Sequence, residues 1–311
     1  MITDFRLPLG DLVSDGIDVL TDSLRPLFDL IRLVLVSLYE AVEFVLLSPP
    51  FWAIIIIAAA LAYFVKGWKF AAGTIVGLFV IVGVNQWENS MASLALVLVA
   101  SAIAIAISVP LGIVAARSNR ASATIRPILD FLQTMPAFVY LVPALILFRV
   151  GVVPGIVATI VFAMAPGVRF TELGIRGVDK EVVEAGHAFG SSPWRILRQI
   201  QLPLAMPTIM AGINQVIMLS LSMVVIAGLV GGGGLGSDVV QALSRIDVAL
   251  GFEAGLSVVI IAIYLDRLTA ALSGKRRTMW TPWRTKATIT EAAPSPAPAA
   301  ATTDARVGAS T

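Results

Sequence analysis

Residues 184–203 read EAGHAFGSSPWRILRQIQLP, and two long apolar segments flank them. The stretch is therefore a loop on one side of a membrane, and its local pattern is helix, break, helix. Asp179 is placed to cap the first helix, with Glu181 in the first turn, where acid suits the helix dipole. Val182, Ala185, Gly186 and Phe189 fall three and four apart, on one face. Ala185 and Gly186 form the centre of that face, so a second backbone is expected to approach there. Gly190 is the natural residue to end the helix. Ser192 is expected to cap a second helix with Pro193 in its first position, and Leu202-Pro203 to end or kink it.

The rest of the chain fits that setting. It has 311 residues, of which 58% are hydrophobic, and a mean hydropathy of +0.90. Soluble domains are about 45–50% apolar, so the composition is that of a membrane protein. There is no Cys and one His, which excludes disulfides, thiolate nucleophiles and Cys- or His-rich metal sites. A net charge of +2 gives no case for nucleic acid. No cleavable leader is expected, because MITDFRLPLGD lacks a basic start and an apolar run.

Reading forward, residues 1–16 are polar. Residues 17–47 carry a helical apolar stripe, but Asp22, Arg25, Asp29, Arg32, Glu40 and Glu43 are many charges for a span. The expectation is an interfacial amphipathic helix within an extracytoplasmic segment 1–47, with a weak, charged span at 33–47 as the alternative. About seven transmembrane helices follow, near 51–65, 70–84, 91–115, 128–148, 153–170, 204–230 and 250–270. They make a permease region over 48–273, with a short helix near 238–246. The tail 274–311 is rich in Pro, Ala and Thr and is expected to be disordered.

Lys and Arg fix the sides. With the 179–203 loop inside, all but Arg6, Arg25, Arg32, Arg149 and Arg245 of the 22 basic residues fall on the inner side. The amino end is then outside and the carboxyl end cytoplasmic.

A short, small-faced amphipathic helix on the basic side suits a docking role. Glu184-Ala185-Gly186, then Gly190, then Ile200-x-Leu202-Pro203 resemble the EAA loop of binding-protein-dependent ABC importer permeases, with Gly186 where the family usually has Ala. QTMPAFVYLVP at 133–143, QLPLAMPTIMAGINQ at 201–215, LSLSMVVIA at 219–227, Gly233 to Gly236 and LDRLT at 265–269 resemble the glycine betaine/proline subfamily. Together these cover roughly 90–270. The resemblance implies an all-α type I importer permease working as a homodimer in the inner membrane. It also implies two cytoplasmic ATPases that hold the ATP-Mg, and a substrate-binding protein outside. It makes Glu184, Ala185, Gly186, Gly190, Ile200, Leu202 and Pro203 the ATPase-coupling set. No cofactor or metal is expected on this chain, and no catalytic residue.

Six residues are candidates for the translocation path. Asn214 and Gln215 lie about ten residues into a span, near mid-bilayer, where polar groups are costly unless paired or facing water. A path-lining site and an interhelical hydrogen bond are both open readings. Phe138 and Tyr140 follow the Pro136 kink; an aromatic cage for a quaternary ammonium is conceivable, though packing is the commoner use. Met223 is read as lining or core. Histidine as a residue type can sense protons near neutral pH, but for His187 surface or interface packing is the stronger reading. Gly231 to Gly236 satisfies G-x-G-x-x-G, yet no strand precedes it and no Gly-Lys-Ser/Thr follows; a flexible outer loop, serving as a gate or a contact for the binding protein, is expected. Arg169 with Glu172, and Asp266 with Arg267, read as interfacial ion pairs. A secondary carrier would show intramembrane acids or an inverted repeat, and neither stands out.

Overall fold

The computed structural model describes residues 9–273. The tail 274–311 and the first eight residues lie outside the described residues. Twelve α-helices follow in order: α1 Leu9–Leu47, α2 Phe51–Lys66, α3 Trp68–Gly83, α4 Trp87–Arg117, α5 Asn119–Thr134, α6 Leu141–Phe148, α7 Val152–Arg176, α8 Lys180–Ala188, α9 Pro193–Ile196, α10 Leu202–Gly228, α11 Gly234–Arg245 and α12 Val248–Ser273. No strand occurs among the described residues.

Helix α7 is the centre of the bundle and packs along both α4 and α10. In lipid there is no hydrophobic gain from pairing two apolar helices, so close packing of small residues supplies the contact. Gly112 of α4 meets α7 so tightly that an added methyl would lie 2.8 Å from the Val168 carbonyl oxygen. On the other side, a methyl at Gly212 of α10 would lie 2.6 Å from Phe170 Cβ. Ala104, Ala163 and Val216, one from each helix, are fully buried and share one cluster.

Among the described residues, four helices are long and apolar enough to cross a membrane: α4, α7, the run Pro193–Gly228 and α12. Two bent pairs raise the number to six, one of residues 23–47 with α2 at 96° and one of α5 with residues 137–148 at 104°. The seven expected spans include α2 and α3, which have 16 residues each. At 1.5 Å per residue, each reaches about 24 Å, short of a hydrocarbon core of about 30 Å.

Three expectations need correction. The segment 128–148 is not one continuous helix: α5 ends at Met135, Pro136 holds extended backbone, and a 3₁₀ turn over Ala137–Tyr140 precedes α6. Pro136 has no N–H to continue the ladder and disfavours helical backbone at Met135. The first helix begins at Leu9 rather than near residue 17. Its later half does not stand apart, because Leu35 and Tyr39 are buried in the main core and Phe28 meets Phe148 edge-on at 5.6 Å. Finally, Gly231 to Gly236 is not a loose loop. Gly232, Gly234, Leu235 and Gly236 are buried, and the Leu235 N–H donates to Ser93 Oγ at 2.8 Å. Left-handed backbone at Gly233 and Gly234 turns the chain tightly against the start of α4.

Candidate functional site

The 179–203 loop folds as its sequence asks at most positions. Asp179 Oδ1 accepts from the Glu181 N–H at 3.0 Å and caps α8. At the far end, the Gly190 N–H donates to the His187 carbonyl at 2.9 Å and the Ser191 N–H to the Gly186 carbonyl at 3.1 Å. That paired closure is a Schellman motif, and it needs the φ of +73° that Gly190 adopts. Ser192 then caps α9 through the Arg195 N–H, with Pro193 in the first turn.

Two details depart from the sequence reading. Leu202-Pro203 does not end the second helix; α9 runs through a π-helical turn, Leu197–Gln201, into α10. The wider turn absorbs the missing Pro203 N–H. Gly186 also does not share the outer face with Ala185. It is buried, and a methyl added there would lie 2.9 Å from Ile200 Cδ1 and 3.3 Å from Ile196 Cγ1. Consecutive helix positions point about 100° apart, which sends Ala185 outward and Gly186 inward. Gly186 and Ile200 are thus the two halves of one internal contact. The outer face keeps Glu184, Ala185, Val182 and Phe189, the last 90% exposed. His187 is exposed, and so is Pro203, while Ile200 and Leu202 are half-buried.

The loop is fastened to the elbow between α4 and α5 from both sides. On its entry side, Arg176 donates to the Ala115 carbonyl and to Asn119 Oδ1, both at 2.8 Å, and pairs with Glu172 at 2.9 Å. On its exit side, the Arg117 guanidinium lies over the Trp194 ring at 6.0 Å. Glu172 is buried and also takes Ser122 Oγ at 2.7 Å and Arg126 at 2.9 Å. Glu184 lines a cleft beside this elbow, with Arg176, Lys180 and Gln201. Sequence reasoning missed the Glu172 node. It paired Arg169 with Glu172, whereas Arg169 reaches Asp130 and Glu172 reaches Ser122, Arg126 and Arg176. Only the i,i+4 spacing of Glu172 and Arg176 was a usable signal.

The six path candidates do not form one site. Tyr140 and Met223 meet in an apolar cluster with Leu141, Ala158 and Phe162, and the Tyr140 hydroxyl donates to the Leu132 carbonyl across the Pro136 bend. Pro136 and Phe138 face outward. Asn214 sits elsewhere, donating to Asp266 Oδ1 at 3.2 Å and accepting from Thr269 Oγ1. Asn214 thus links α10 to α12. Asp266 turns to Asn214, and adjacent Arg267 shares no face with it. Gln215, next to Asn214, is exposed. Among the described residues, no group of acids and histidines is arranged to hold a metal.

Residues 108–278 match the family described as "Binding-protein-dependent transport system inner membrane component". The chain belongs to that family. Of its permeases, the glycine betaine/proline betaine transport system permease protein of Escherichia coli (strain K12) is 46% identical over 271 residues, 87% of this chain and 77% of that one. The glycine betaine/carnitine transport permease protein of Listeria monocytogenes is 45% identical over 275 residues, 87% of this chain and 97% of that one. The choline transport system permease protein of Bacillus subtilis is further off, at 35% over 57% of this chain and 82% of that one. In fold, the permease resembles a chain of the inward-facing methionine ABC transporter, with a TM-score of 0.56 over 60% of this chain and 94% of that one at 20% identity. Family and apolar helices together make it a multi-pass inner-membrane protein.

Proposed function

We propose that this permease is the membrane subunit of an ATP-driven importer for glycine betaine and proline betaine. The observation that carries the solute class is the identity of 45–46% along 87% of the chain to permeases named for glycine betaine. The outer face of α8, with Glu184, Ala185 and Phe189, docks on a cytoplasmic ATPase that holds ATP-Mg. Gly186, Gly190, Ile200, Leu202 and Pro203 keep that face in shape. A binding protein delivers solute from outside, and two copies of the chain enclose the path. Tyr140, Met223 and Phe138 are its candidate lining. The distribution of Lys and Arg supports a cytoplasmic α8–α9 loop and carboxyl end, an outer amino end, and seven crossings with α2 and α3 as the short ones. The described part of α1 supports an interfacial role only through its charged, amphipathic pattern.

The test is uptake of labelled betaine by vesicles holding the chain, its ATPase and its binding protein. The expected result is accumulation that needs ATP inside and binding protein outside. Uptake driven by an ion gradient without ATP would refute the proposal. A second reading, transport of choline or carnitine, draws on relatives named for those solutes; competition with unlabelled solutes separates the two.

A further inference from the structure

The hairpin α2–α3 touches the bundle mainly through α12, where the Tyr264 hydroxyl donates to the Ala58 carbonyl at 3.3 Å and the ring stacks on Phe70 at 6.1 Å. Helices α3 and α12 do not close along their whole length. At Gly77 they touch, since a methyl there would lie 2.9 Å from Ile260 Cγ2. At Gly73, one turn nearer the start of α3, a methyl would meet nothing within 4 Å. The gap is an open-sided apolar groove of about 190 Å³. Thr74 and Leu78 are its buried floor, Ile263 and Tyr264 line it from α12, and Lys69 lines its mouth.

The mouth has a definite charge. Lys66 and Lys69 flank the turn between α2 and α3, both exposed, beside an exposed Trp68. The ion pairs found among the described residues involve neither lysine. Exposed aromatics with basic residues at a helix end mark the headgroup level of a bilayer. An apolar groove with Lys69 at its edge and Lys66 across the adjoining turn therefore matches one molecule, with an apolar chain and an anionic head.

We propose that the groove between α3 and α12 holds an acyl chain of an anionic phospholipid, with Lys69 and Lys66 at its phosphate. The lipid fills the space left by the missing Gly73 side chain and wedges the hairpin to α12. This site is independent of the solute the importer carries.

The test uses the purified importer complex, stripped of lipid, with phosphatidylglycerol or phosphatidylcholine added back. Native mass spectrometry and melting temperature are the readouts. Phosphatidylglycerol is expected to remain bound and to raise the melting temperature by roughly 3 °C, and phosphatidylcholine and inorganic phosphate are not. Gly73→Leu puts a side chain into the groove at a position where an added Cβ meets nothing within 4 Å and suits a helix better than Gly, so it should fold and lose the retained lipid and the shift. Lys66→Gln with Lys69→Gln should lose the preference between the two lipids, and carries the test if Gly73→Leu does not fold. Wild-type behaviour in either variant, an equal response to phosphatidylcholine, a shift with phosphate alone, or a crosslink from Ile263 to a second copy of the chain would overturn the proposal.

Discussion

Arg176 Nη2 donates to the Ala115 carbonyl oxygen at 2.8 Å, which ties the last turn of α7 to the last turn of α4. Its other nitrogens hold Asn119 and Glu172. A flat guanidinium reaches three acceptors at once; an ammonium on a flexible stem does not. Arg176→Lys is therefore expected to behave more like Arg176→Ala than like wild type. Both should insert and assemble, and both should lower betaine uptake per ATP hydrolysed. Unchanged coupling in Arg176→Ala would separate the elbow from the loop's work.

Glu172 is the buried charge of that elbow, with 4% of its side chain exposed. Its carboxylate serves Ser122, Arg126 and Arg176 together. Glu172→Ala leaves three donors without their acceptor, and a broken buried pair costs about 3–5 kcal/mol. Ser122 is buried, but the arginine partners are 59% and 34% exposed, so the lower end of that range is expected. A thermal melt of the purified permease measures it.

Replacing Gly190 by Ala puts a side chain at a φ of +73°, with an expected cost of about 1 kcal/mol. Nothing lies within 4 Å of the new methyl, so the damage is to the turn and not to packing. The protein should still insert while ATP hydrolysis becomes less tightly coupled to uptake. Gly186→Ala meets only the movable ends of Ile200 and Ile196 and should be near neutral, whereas Gly186→Leu should disrupt the loop. Equal effects of the two would contradict the Gly186–Ile200 contact.

Asn214→Leu removes the bond between α10 and α12 and takes the amide donor away from Asp266 Oδ1. Polar links between membrane helices are worth about 0.6–2 kcal/mol, so a modest loss of stability is expected with the apparent affinity for betaine unchanged. A changed affinity with unchanged stability would return Asn214 to the path.

The chain has no Cys, so one introduced at Phe189, which is 90% exposed, reports alone. Membrane-impermeant thiol reagents should label it only from the cytoplasmic side, and bound ATPase should protect it.

Local chemistry was legible in the sequence. Asp179, Gly190, Ser192 and Pro193 announce their roles because a cap or a turn depends on neighbours a few positions away. The long apolar helices were legible for the same reason. What escaped was set by distance along the chain or by direction around a helix. Nothing near Glu172 announces Ser122, 50 positions earlier. The face that Gly186 presents was decided by Ile196 and Ile200, which the short-range pattern of α8 does not contain. Pro136 looked like a kink within a span, but the companion constraint on Met135 made it a bend of 104°.

The Gly186–Ile200 contact and the Gly190 turn lie wholly within one chain. On the docking role proposed for α8, its outer face is shaped by contacts within this chain, and association with an ATPase need not first freeze a floppy segment. The proposed docking then predicts that the membrane subunit, made ahead of an ATPase, waits in the bilayer and accepts it by simple collision. Exchange of one ATPase for another on the same membrane subunit should then be limited by how fast the old one leaves.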